Sequence, residues 1–164
     1  MSLADEIARY FAAERSGAWV FIAIGIVSIV LPLVFILRDG ASLAKGFAVP
    51  VVIIGVIQVI VGATVALRTP SQLAAIEARL ASDAAGLKRD ETARMAKVMS
   101  GFKTFKIVEV LFIAVGLAGC LFVSQPFWLG IAMGMLIQGA LMLPADIVAE
   151  RRGAVYQEAL LSAR

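Results

Sequence analysis

Residues 18–37 read AWVFIAIGIVSIVLPLVFIL, twenty positions without a charge. At about 1.5 Å per residue such a helix covers ~30 Å, the hydrocarbon thickness of a bilayer. Three further runs follow: 46–67 (GFAVPVVIIGVIQVIVGATVAL), 107–123 (IVEVLFIAVGLAGCLFV) and 126–145 (PFWLGIAMGMLIQGALMLPA). The third is short and contains Glu109, but it can borrow Phe105 and Phe102. Hydrocarbon offers no water to the backbone, so helix is the expected state despite the many Val and Ile residues. Pro32 sits late in the first run, where a kink or an early helix end is expected. Pro50 and Pro126 fall in first turns, where proline costs little.

Composition agrees. Hydrophobic residues make up 61% of the 164 and charged residues 16%, with a mean hydropathy of +0.94. Soluble domains run nearer ~45–50% and ~25%, so a soluble fold is excluded. The segment before the first run carries Asp5, Glu6 and Glu14 against Arg9 and Arg15, whereas a signal peptide begins with positive charge. Arg38 and Asp39 close the run, which reads as a retained span.

Counting Lys and Arg in the connections gives the orientation. The N-terminal segment has Arg9 and Arg15. The 68–106 connection has eight, and the C-terminus has Arg151, Arg152 and Arg164. The other side carries only Arg38 and Lys45, thirteen against two. Both termini are expected in the cytoplasm, with the chain multi-pass in the cell inner membrane.

Leu3, Ile7, Tyr10 and Phe11 share one helical face, and Ser2 with Asp5 resembles a capping box. Ser16-Gly17 breaks the pattern, which suggests an interfacial helix over about 3–15 lying on the membrane. A helix packed against the long connection is the competing reading. Thr69-Pro70-Ser71-Gln72 reads as a fresh helix start, and 82–86 as a turn. A cytoplasmic helical hairpin over about 69–104 follows, with an amphipathic tail after the fourth span. The fold expected is therefore all-α: one membrane domain, 1–164, built as an integral four-helix bundle with that hairpin between spans two and three. Each half also reads as an amphipathic helix, an outgoing span, a short link and a returning span with a central Gln, a weak twofold pattern.

Few residues carry chemistry. With no His and one cysteine, Cys120, the usual metal and haem ligands are missing, and so are imidazole-dependent triads. No cofactor, no nucleic-acid site and no enzyme activity is expected. Gly130 and Gly134 form a GxxxG pair continued by Gln138, and Gly55, Gln58 and Gly62 form a comparable stripe. These six mark a seam for internal packing, for a protein partner or for a second copy. Gln58 and Gln138 each lie 12 residues into a returning span, near the midplane and level with Ser28, so the amides should turn inward and meet. Glu109 and Asp146 are expected in buried ion pairs, Glu109 with Lys106 and Asp146 with Arg68, Lys106 or Arg151. Trp19 and Trp128 fit interfacial anchors.

Two function classes fit. One is a non-catalytic membrane protein that binds a protein partner through its helices or hairpin, such as an immunity protein against a membrane-inserting toxin or an accessory subunit. The other is a small oligomeric transporter or channel. A polar cavity at Gln58 and Gln138 would favour transport, and a closed seam would favour binding.

Overall fold

The computed structural model describes residues 2–162, and all the secondary structure among them is helical. Four helices follow one another: α1 Leu3–Asp39, α2 Ser42–Ser82, α3 Ala84–Phe122 and α4 Pro126–Ser162. They hold 37, 41, 39 and 37 residues. At about 1.5 Å per residue each runs ~55–60 Å, nearly twice the hydrocarbon thickness. Each helix therefore joins an apolar half, long enough to cross a membrane, to a charged half. The architecture is that of a multi-pass membrane protein. The start of α1, the end of α4 and the α2–α3 turn share one end of the molecule, the polar end. Two short links close the other.

α1 packs along α2, and α3 along α4. The parallel helices α2 and α4 meet in the centre, while α1 and α3 flank them and reach each other through side chains at the polar end. α3 is the most peripheral: 6% of its most apolar stretch is buried, against 28% in α2 and in α4.

The N-terminal segment corrects an expectation. Residues 3–15 are helical and start at the capping box, Asp5 N–H donating to Ser2 Oγ at 3.2 Å. They do not form a separate helix. α1 runs unbroken through Ser16 and Gly17, with Ser16 Oγ donating to the Ala12 carbonyl at 2.9 Å. Ile7 and Phe11 are 1% and 0% exposed, packed with Ile76, Leu87, Met95, Tyr156 and Leu160. Burying these large side chains away from water is worth about 1.5–3 kcal/mol each, which outweighs the pull of an interface. The polar halves of all four helices thus form a water-type core. Arg164 lies outside the described residues.

Two more local readings change. Thr69 does not cap a new helix, since its hydroxyl donates to the Val65 carbonyl at 2.6 Å and α2 continues through Pro70. α1 likewise continues through Pro32 without an early end. The turn expected over 82–86 narrows to Asp83, whose carboxylate caps α3 by accepting from Gly86 N–H at 2.9 Å. At the opposite end Gly40 ends α1 with φ 58°, a left-handed conformation that glycine adopts without strain.

Candidate functional site

Inside the apolar halves, neighbouring lipid is as apolar as leucine, so close packing and hydrogen bonds hold helices together rather than water expulsion. Glycine makes that closeness available. A Cβ on Gly46 would overlap the Phe127 carbonyl, and one on Gly130 would overlap the Leu43 carbonyl. Gly55 lies on the Gly25 carbonyl and Ile29, while Gly139 lies on the Glu109 carbonyl and Ile113. In both comparisons, corresponding residues are 84 apart in number. The molecule is thus two hairpins, α1–α2 and α3–α4, related by a pseudo-twofold axis between α2 and α4.

All six seam residues are buried, but they serve two seams. Gly55 and Gly62 pack on α1, against Gly25 and Ala18 respectively. Gly130 and Gly134 pack on α2, against Leu43 and Phe47. Gln58 and Gln138, each 1% exposed, close the α2–α4 centre. Gln58 Nε2 donates to Gln138 Oε1 at 3.3 Å and to Met142 Sδ at 2.9 Å. Gln138 Nε2 donates to Ser28 Oγ at 3.1 Å and to the Val51 carbonyl at 3.4 Å. Gln58 Oε1 is left without a partner.

The ion pairs differ from those expected. Lys106 binds Glu150 rather than Glu109, and Arg68 reaches Glu14 at 3.6 Å rather than Asp146. Arg151 is exposed. Glu109 and Asp146 instead lie near each other, with the Lys106 charge close by, and Glu109 Oε2 is buried without a hydrogen-bond partner. Gly139 packs on the Glu109 carbonyl, so Asp146 stands about two turns nearer the polar end on the antiparallel α4, and each side chain leans toward its own helix N-terminus and so toward the other. Subtracting 84 from Lys106, Glu109, Asp146 and Glu150 gives Ile22, Gly25, Gly62 and Ala66. The second hairpin therefore places four charges where the first has only apolar or small residues.

A further cluster was not visible in the sequence. At the polar end Glu91, 5% exposed, accepts two bonds from Arg94, at 2.8 and 2.6 Å. It also accepts from Tyr156 Oη at 3.0 Å. Tyr156 stacks on Tyr10 with ring centroids 4.4 Å apart, and the Arg94 guanidinium lies 5.8 Å from the Phe11 centroid. Burial, followed by the Glu14 charge, pushes the Tyr10 phenol up to about 12. Burial, followed by the Glu91 charge, pushes Tyr156 upward as well. Glu14 is raised by burial against the opposing pull of Arg68. The described residues hold no grouping of three or more His, Cys, Asp or Glu suited to a metal ion. What the arrangement does is lock three helices together around a buried charge.

Comparison of the chain with protein-family models, with curated proteins and with solved structures finds no match.

Proposed function

We propose that this is a non-catalytic, polytopic inner-membrane protein that acts by binding a protein partner, with both termini and the α2–α3 hairpin in the cytoplasm. One observation carries the reading: Gln58 and Gln138 are 1% exposed and spend their donors on each other, Ser28, Met142 and a backbone carbonyl. Amide donors consumed by packing are not offered to a solute. The glycine stripes are used up in the same way, which leaves the hairpin as the partner surface. Its exposed charges, Arg79, Asp83, Arg89 and Asp90, cluster at the turn. An accessory subunit or an immunity protein would fit this design.

A photo-crosslinking amino acid at Arg89 or Lys97, in the full chain in native membranes, tests it. A discrete adduct with one protein, identified by mass spectrometry, is the expected result. No adduct at either site, together with solute flux in proteoliposomes of the purified chain, would move the transporter alternative ahead.

A further inference from the structure

The outer face of α3 changes character over two turns. Lys103, Lys106, Ile107, Val110 and Leu111 fall at i, i+3, i+4, i+7 and i+8, one stripe of the helix. They line an open groove of about 400 Å³ on the surface of α3, beside the Lys106–Glu150 pair that joins α3 to α4. Cations stand at its polar-end margin, with unbroken apolar surface below. The twofold relation fixes its level. The counterpart of Lys103 is Trp19, 55% exposed, a residue type that sits at headgroup depth. The counterparts of the other four are Ile22, Ala23, Ile26 and Val27, so the first hairpin has no such charge. From Lys103 to Leu111 is about 12 Å of helix, close to the ~15 Å depth of one hydrocarbon leaflet. Lys103 makes no ion pair among the described residues, and Lys106 is only half-buried in its pair with Glu150.

We infer that this stripe is a docking site for an anionic phospholipid, its headgroup phosphate on Lys103 and Lys106 and one acyl chain along Ile107, Val110 and Leu111. A protein surface would not need the cationic and apolar parts ordered along the membrane normal, whereas a lipid does. Charge decides between lipids. A zwitterionic headgroup gains little from two lysines, while each Lys near an anionic surface favours binding by about fivefold.

The test is native mass spectrometry of the purified full chain in detergent, titrated with phosphatidylglycerol or with phosphatidylcholine of the same acyl chains. Phosphatidylglycerol adducts should dominate. Lys103→Gln should weaken them about fivefold, Lys103→Arg should retain them, and Lys97→Gln, on an exposed turn nearer the polar end, should leave them unchanged. Because Lys103 is exposed, its loss leaves the bundle folded. Equal binding of the two lipids, or an undiminished preference in Lys103→Gln, or an equal loss in Lys97→Gln, would overturn the site.

Discussion

Gln58 donates to Gln138 across the parallel contact of α2 and α4, yet the two are not equivalents under the 84-residue relation. Gln58 corresponds to Met142, and Gln138 to Ile54. Gln138 accepts that bond and donates in turn to Ser28 of α1, whose counterpart in α3 is Phe112. The amide network is thus one-sided. It ties α1 to the central pair and does nothing for α3.

That asymmetry ranks two substitutions. Hydrogen bonds between membrane helices average about 0.6 kcal/mol and reach at most ~2. Gln58→Leu should cost near the lower figure, because its lost acceptor was already unpartnered. Gln138→Leu should cost near the upper one, because it removes the bonds to Gln58, Ser28 and the Val51 carbonyl together. Unfolding of the full chain by SDS titration in mixed micelles measures both. Equal costs would show that the Ser28 bond contributes nothing.

Glycine positions should divide sharply. A methyl at Gly46 meets backbone, which cannot retreat, so Gly46→Ala should destabilise the bundle by about 1–3 kcal/mol. At Gly101 the nearest atom to a new Cβ lies 3.8 Å away. Gly101→Ala should therefore be neutral or stabilise by up to ~1 kcal/mol through helix propensity. The same micelle titration reads both variants.

Why the four spans and the amide pair were legible, and the polar-end core was not, follows from the kind of signal each leaves. A span is a local property of about twenty residues, and the depth of Gln58 and Gln138 follows by counting from a boundary. Glu91 and Tyr156 are 65 positions apart, and nothing local distinguishes Glu91 from the solvated acids around it. Ser16-Gly17 looked like a break because both residues disfavour helix by a fraction of a kcal/mol up to ~1. The burial of Ile7 and Phe11 outweighs that. Thr69-Pro70 misled in the same way, since a cap sequence also suits a helix that continues when its hydroxyl back-bonds to Val65.

The buried pair at the polar end should behave as a unit. Glu91→Leu leaves Arg94 without its partner and should cost about 3 kcal/mol. Adding Arg94→Met should recover most of that loss, since neither charge then remains. Tyr156→Phe removes a hydrogen bond to a charged group, a cost of about 1.5–3 kcal/mol. Thermal unfolding of the three variants settles the ordering. A double variant worse than Glu91→Leu alone would show that Arg94 has a separate role.

Orientation is open to direct chemistry. In a Cys120→Ala background, cysteine at Ala41 should react with a membrane-impermeant maleimide on intact cells. Cysteine at Ala84, beside the α2–α3 turn, should react only after permeabilisation. The reverse pattern would place the hairpin outside and remove the cytoplasmic part of the proposal.

The chain contains two tyrosines, Tyr10 and Tyr156, and they stack on each other, so phenolate absorbance reports this one contact. A free phenol ionises near pH ~10. Tyr10 is pushed up to about 12, first by burial and then by Glu14, and Tyr156 is raised by burial and by Glu91. Both should therefore stay protonated in the folded chain at pH 10. The sign for stability follows. Between the ordinary and the raised value the unfolded chain has lost protons that the folded chain keeps, so stability falls as pH rises through that window. Below pH ~10 neither state is ionised and the effect vanishes. Spectrophotometric titration in detergent should show no phenolate near pH 10 and a rise near 12, with unfolding promoted over the same range. Tyr10→Phe should lessen the alkaline loss of stability, and Glu14→Gln should shift the Tyr10 transition downward by removing a neighbouring negative charge. Full ionisation of both phenols near pH 10 in the folded protein would mean that the aromatic cluster is open to water.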